Sequence, residues 1–268
     1  MIPVLTVAGS DSSGGAGIQA DLKTFAALGT YGMSCICALT AQNTKGVTMV
    51  VNTPVDMVRA QLEAIFDDIP PKAVKTGMLS SAPTLEAVSD FFSSHKVPLV
   101  VDPVMVATSG AVLLEKEAIQ SYKEKLIPLS TLITPNIPEA EVLSGLSIKS
   151  EEDMKKAARA LMDLGPSAVL VKGGHSVEDA RDILYDGKEF HVFSGKRIST
   201  ENTHGTGCTL SSAIAAGLAK GLSLADAVGE AKKYMEGAIA KAAVDSVGHG
   251  HGPVHHFWFY GKNWGRME

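Results

Sequence analysis

The sequence predicts an α/β fold of three layers, a central mostly parallel sheet with helices on both faces. Three observations carry this expectation. Short β-rich segments alternate with helical patterns along nearly the whole chain, an order that builds parallel sheets. Several strand segments are near-continuous apolar runs, as expected when both faces of a strand are covered. Glycine is frequent, at 26 of 268 residues against an average near ~7%, which suits many tight turns between short elements.

The elements follow in order. Val4–Ala8 is the first strand, and it empties into a glycine-rich segment from Gly9 to Gly17. Ile18, Leu22, Phe25 and Ala26 then recur at helical spacing. Gly32–Leu39 is a strand with Cys35 and Cys37 on one face as small packing residues, and Val47–Asn52 is another. Val58, Leu62, Ile65 and Phe66 line one side of a second helix. Ala73–Thr76, Pro98–Asp102, Thr131–Thr134 and Ala168–Lys172 are further strands. Ser150, with Asp153 three residues on, caps a helix carrying Met154, Ala157, Leu161 and Leu164. Ile183–Tyr185 and Phe190–Phe193, joined through Asp186-Gly187, read as an antiparallel hairpin. Two longer helices follow, near Gly205–Lys220 and Leu224–Ala243, with Ser223 capping the second. No linker, change of composition or internal repeat divides residues 1–268, so one domain is expected.

Composition narrows the function. Lys and Arg total 24 against 29 Asp and Glu, a formal charge of −5, which argues against a nucleic-acid footprint. A locally positive pocket for a phosphorylated ligand remains compatible with it. Cys35, Cys37 and Cys208 cannot all pair, so a disulfide-built secreted domain is not expected. No signal-peptide pattern and no apolar run of ~18–20 residues is present, which points to the cytoplasm and away from membranes. His249, His251, His255 and His256 lie in a glycine-punctuated end, expected to be flexible and without fixed metal geometry.

Ligands of such sheets gather where strands end and helices begin. The Gly9–Gly17 segment permits close backbone approach and offers amides at a helix start. It lacks both the dinucleotide spacing and the Gly-Lys-Ser/Thr of a P-loop, and a tight turn with a polar cap is the alternative. The segment Asn202–Thr209 is the second cluster. Gly205, Thr206 and Gly207 would expose unpaired amides suited to charge on a transferring phosphoryl group. Cys208 would sit in the first helical turn, where the helix field favours thiolate, or serve as a buried packing residue.

These pieces together resemble the hydroxymethylpyrimidine/phosphomethylpyrimidine kinases of thiamine biosynthesis, in the ribokinase-like superfamily. The matching runs are Ala8–Asp21, Ala38–Thr44, Lys75–Leu79, Val101–Met105, Thr134–Asn136, Lys172–His175 and Thr203–Cys208, in family order, within a resemblance spanning about Pro3 to Phe257. Sugar and nucleoside kinases of the superfamily carry an aspartate where this chain has Cys208. That departure argues against an ordinary ribokinase and fits the pyrimidine kinases and some pyridoxal kinases.

The resemblance implies a ribokinase-like sandwich that uses ATP and Mg²⁺ on a small pyrimidine, assembled as a homodimer. It places Cys208 at the substrate hydroxymethyl oxygen as base or orienting group, and His204 beside phosphate or Cys208. Gln42, Met78, Gly9 and Asp21 fall in the substrate pocket. The Gln42 amide donates and accepts, so it can meet a ring amine and the adjacent ring nitrogen, while Met78 gives an apolar wall. Lys172, Asn136 and Lys232 fall near the nucleotide, although Lys232 also suits a solvated charged face. Asp102 and Glu139 fall near Mg²⁺, partly through water. Phosphorylation of the alcohol, then of its monophosphate, is the expected activity. Pyridoxal, pyridoxine and pyridoxamine kinase is the nearest alternative, disfavoured by Gln42 and Asn43. A non-catalytic sensor is disfavoured by retention of Asp102, Lys172 and Cys208.

Overall fold

The structure, a computed structural model, describes residues 1–105, 116–174, 180–195, 197–245 and 247–260. His175, at the end of one matching run, lies outside them. The strands are β1 (Pro3–Asp11), β2 (Tyr31–Asn43), β3 (Gly46–Asn52), β4 (Ala73–Thr76), β5 (Leu99–Val101), β6 (Leu132–Ile133), β7 (Val169–Lys172), β8 (Ala180–Tyr185) and β9 (Phe190–Gly195). They form one sheet in the order β3-β2-β1-β4-β5-β6-β7-β8-β9. The six strands from β2 to β7 in that order are parallel, with β3 antiparallel at one edge and the β8–β9 hairpin at the other. Each expected strand is present.

The helices are α1 (Gly17–Ala27), α2 (Val55–Asp68), α3 (Ala82–Ser94), α4 (Lys116–Ser121), α5 (Ile137–Ser144), α6 (Glu151–Met162), α7 (Thr206–Ala219) and α8 (Leu224–Ala242). Alternation of side chains along the strands splits the core into two. Leu5, Val7 and Val101 face Leu62, Val88 and Leu161 from α2, α3 and α6. Val4, Val100 and Leu170 face Phe25, Ile214 and Val228 from α1, α7 and α8. Ser150 and Ser223 cap α6 and α8 as expected, each accepting from the amide three residues on. The start of α3 is set by Ser81 in the same way, with Pro83 in the first turn, a signal the sequence reading passed over.

Two departures position the site. β2 runs on to Asn43, so Gln42 lies within the strand rather than after it, at a register shift between Ala41 and Gln42. Such a bulge re-aims the side chain beside it. The C-terminal segment is the second. Expected as a flexible end, it is packed against the body: His251 N donates to Thr44 O at 2.9 Å, and His256 is buried. No helix among the described residues is long and apolar enough to cross a membrane.

The chain passes from β1 outward through β2 and β3, then returns to β4 on the other side of β1. A reversal of this kind opens a crevice beyond the carboxyl ends of the strands. Gly9, Gly77, Asp102, Asn136 and Lys172 all lie at those ends.

Candidate active site

Asp11 organises the glycine loop after β1. Its carboxylate accepts from the amides of Ser13, Gly15 and Ala16 at 2.8, 3.1 and 2.8 Å, and from Ser13 Oγ. His204 Nε2 lies 2.9 Å from Asp11 Oδ2 and joins this loop to the one before α7. Burial pushes the Asp11 carboxyl up, but His204 and Ser13 outweigh it and hold it down at about 2. Gln42 Nε2 is 3.4 Å from the same imidazole nitrogen, and its Oε1 is 3.0 Å from Thr40 Oγ1. One nitrogen cannot donate to Asp11 and accept from Gln42 at once. The shorter contact goes to the carboxylate, which leaves the Gln42 amide available to a ligand. Ser12 Oγ fixes the Gln42 backbone by donating to its carbonyl at 2.8 Å. Met78 is half-buried next to Gly9, where any Cβ would press on Met78 Cε.

α7 starts at a glycine because nothing else fits. Gly205 has φ +79°, and a Cβ there would collide with the Gly15 carbonyl. Thr206 N donates to Thr203 O at 3.2 Å, so that amide is not free as expected. Among the described residues, the amides of Gly207 and Cys208 have no acceptor. They are the orphan donors of a helix start. A Cβ on Gly207 would lie 3.4 Å from both Asp102 Oδ2 and Lys172 Nζ, which locates the donors beside a charged pair.

That pair is Lys172 Nζ–Asp102 Oδ1, at 2.8 Å. Thr134 Oγ1 donates to the same oxygen at 3.0 Å, and Ser211 Oγ to Oδ2 at 3.3 Å. Burial pushes Asp102 up, yet Lys172 and Lys75 hold it below the usual range. Burial pulls Lys172 down, and Asp102 and Glu139 more than restore it. Glu139 is buried and pushed up to about 7, chiefly by that burial, with Lys172 opposing and Asp102 adding. Glu139 and Asn136 form a capping box for α5, with Glu139 N donating to Asn136 Oδ1 at 2.9 Å and Asn136 N to Glu139 Oε2 at 2.8 Å. Asn136 is also bridged to Lys172. Lys232, on α8, pairs with Asp182 at 2.8 Å, and Asp182 also accepts from Gly173 N.

Three parts of the expected site are engaged by neighbouring protein groups. Asp21 is the first. It is fully buried, and its carboxylate accepts from Lys75 at 2.9 Å, Thr6 Oγ1 at 2.6 Å and Ser212 Oγ at 2.6 Å, which leaves it a supporting role. At Cys208 the helix field is opposed by its surroundings. Burial, with Asp21 and Asp102 adding to it, pushes its thiol up to about 11, against the opposing Lys75 charge and a hydrogen bond from the Gly17 amide. The helix start does not overcome them. For the metal, Asp102 Oδ1 accepts from Lys172 and Thr134, Oδ2 lies 3.3 Å from Ser211 Oγ, and Glu139 accepts from the Asn136 and Met105 amides. These carboxylates fit contact with Mg²⁺ partly through metal-bound water.

Sequence reasoning missed Lys75 and the anchoring role of Asp11. A lysine inside the short strand Ala73–Thr76, directly after Val74, was the available signal for the first. The Asp-Ser-Ser turn was the signal for the second.

Residues 11–255 match the family model described as phosphomethylpyrimidine kinase. The chain is 51% identical over 261 residues to the hydroxymethylpyrimidine/phosphomethylpyrimidine kinase of Rhizobium meliloti, covering 97% of this chain and 98% of that one. It is 54% identical over 255 residues to a thiamine biosynthesis bifunctional protein of Geobacter sulfurreducens, covering 94% of this chain and 52% of that protein, and so spans about half its length. Among solved structures, an ADP complex of Bacillus subtilis pyridoxal kinase is similar at TM-score 0.87 and 39% identity, over 97% of this chain and 98% of that one.

Proposed function

The chain belongs to the phosphomethylpyrimidine kinase family, in the ribokinase-like superfamily, and from that premise we infer that one pocket serves two successive phosphoryl transfers. It carries out the ATP-dependent phosphorylation of 4-amino-5-hydroxymethyl-2-methylpyrimidine in thiamine biosynthesis, and then phosphorylates the monophosphate to the diphosphate. The observation that carries this reading is the start of α7, where the unpaired Gly207 and Cys208 amides lie beside Lys172 and Asp102.

The chain's own groups divide the work. Phosphoryl transfer is loose, so positioning and charge stabilisation outweigh early proton removal. The Gly207 and Cys208 amides stabilise charge on the transferring group, and Lys172 offsets phosphate charge. Cys208, a neutral thiol, orients the hydroxymethyl oxygen, whose proton passes late to an oxygen of the transferred phosphoryl group. In the second transfer the acceptor is a phosphate oxygen, so that proton step falls away. His204 holds the α7 approach to the glycine loop. Gln42 reads the aminopyrimidine edge, with Met78 and Gly9 along the ring. Asn136 and Lys232 border the nucleotide. Asp102 and Glu139 would hold Mg²⁺ through its water shell, where the ion would supply positive charge to the phosphates.

We place the enzyme in the cytoplasm as one domain and as a homodimer. The apolar face of the β2–β3 edge supports the dimer: Leu39 opposite Val51 and Ala41 opposite Met49 are exposed. A pyridoxal kinase activity is the second reading, favoured by the likeness in fold to the Bacillus subtilis enzyme. Purified protein incubated with ATP-Mg²⁺ and each alcohol in turn, followed by mass spectrometry, separates the two. The expected products are pyrimidine mono- and diphosphate. Preferential phosphorylation of pyridoxine would reverse the assignment, and ATP hydrolysis without a phosphorylated ring would reject both.

A further inference from the structure

Residues 250–256 form a strap across three segments that build the site. Gly250 N donates to Thr44 Oγ1 at 3.1 Å, which with the His251–Thr44 bond fastens the strap to the β2–β3 turn. The Gly252 carbonyl accepts from His204 N at 3.0 Å, and Pro253 pairs with His204 in a parallel bridge. Pro253 also closes on the glycine loop, 3.2 Å from where a Cβ on Gly15 would sit. Finally, His256 Nε2 lies 3.1 Å from Thr209 Oγ1, and the His256 carbonyl accepts from Tyr234 on α8 at 2.7 Å.

Thr209 immediately follows Cys208. A helical threonine can turn its hydroxyl back onto the carbonyl four residues earlier, which bends the helix. Here that carbonyl belongs to Gly205 and already accepts from Thr209 N at 2.9 Å. His256 engages the hydroxyl instead, which leaves the first turn of α7 free of that bend. Both partners are buried, and water does not compete for the contact.

We propose that the C-terminal strap is a working part of the phosphoryl-transfer site, with His256 a positioning residue that fixes the start of α7, and so Cys208, through Thr209. The proposal rests on the kinase reading above. His256 makes no direct hydrogen bond to Cys208, so its effect must pass through the threonine.

The test compares His256→Leu, Thr209→Val and the double variant with His256→Gln and His256→Asn. Glutamine reaches the position of Nε2 and can accept the threonine hydroxyl, whereas asparagine stops short. Two quantities are measured per folded molecule. One is the rate of pyrimidine phosphorylation with ATP-Mg²⁺. The other is the rate at which iodoacetamide labels Cys208 at fixed pH, mapped by peptide mass. His256→Leu and Thr209→Val should each lower kcat by about 10- to 100-fold with KM little changed. Their effects should not add in the double variant. Cys208 labelling should shift in the same variants, and His256→Gln should restore both readouts where His256→Asn does not. Additive losses, unchanged kcat and labelling per folded molecule, or equal behaviour of glutamine and asparagine would overturn the proposal. If the parental protein phosphorylates no pyrimidine, the kinase reading fails, and the labelling series still decides whether the strap sets Cys208.

Discussion

In the function proposed above, Gln42 is the side chain that separates a pyrimidine kinase from its vitamin B6 relatives. His204 Nε2 is engaged by the Asp11 carboxylate at 2.9 Å, so the Gln42 amide is held by Thr40 and the strand backbone but is not consumed. Gln42→Leu keeps much of the volume and removes both polar contacts. A ligand group left unsatisfied costs ~1–3 kcal/mol, roughly 5–150-fold in affinity. The expected outcome is a weakened preference for hydroxymethylpyrimidine over pyridoxine with ATP binding little changed, measured by calorimetry on each ligand. Lys75 makes a different kind of statement. Its ion pair with Asp21 is fully buried, so Lys75→Met strands a carboxylate and should cost about 3–5 kcal/mol of stability in urea unfolding. Adding Asp21→Asn should recover most of that loss. The chemistry of Gln42 was legible in its amide, but its aim was not, because a bulge in β2 and a histidine 162 residues away set it. The state of the Cys208 thiol was not legible for a related reason. The local sequence shows a helix start, while the groups that govern the thiol, Lys75, Asp21 and Asp102, come from other parts of the chain.

The start of α7 is the element on which the reading turns, and it depends on a left-handed residue. Gly205→Ala combines the cost of that conformation, ~1–2 kcal/mol, with a collision against Gly15. The variant should melt earlier and turn over far more slowly than its loss of stability alone explains. The strap gives a pH-dependent outcome. Burial, with Lys23 and His255 contributing, holds His256 down at about 4. Between about 4 and the ordinary 6.5 the unfolded chain binds a proton there that the folded chain refuses. Its contribution is therefore present above pH 6.5 and lost as the pH falls toward 4, by roughly 3 kcal/mol at most. Urea midpoints at pH 7 and pH 5 should differ less in His256→Gln than in the parent. At this scale the sequence was legible wherever local rules decide. The serine caps and the Asp186-Gly187 hairpin stood as read. The capping box at Asn136 and Glu139 was equally local but was overlooked because both residues were read as ligand groups. The strap could not be read, since its order comes from Thr44, His204 and Tyr234, which are distant in sequence.

At the scale of the whole molecule, the alternation of strands and helices was enough to specify a layered sheet, because buried parallel strands need apolar runs. It did not specify that β3 would be an exposed antiparallel edge. That edge leads to the expectation of a dimer. Met49→Asp combined with Val51→Lys should give a monomer by sedimentation equilibrium with the sheet intact, and an unchanged mass would remove this face from the interface. The chemistry is tested most directly by single-turnover phosphorylation with Cys208→Ala. The alcohol and its monophosphate are supplied separately with ATP-Mg²⁺, and product masses are followed in time. Transfer to the alcohol should fall by ~10²-fold or more, with a smaller loss on the monophosphate, whose acceptor oxygen needs no thiol. A folded Cys208→Ala protein that phosphorylates the alcohol at the parental rate would contradict the placement of the reaction at the start of α7.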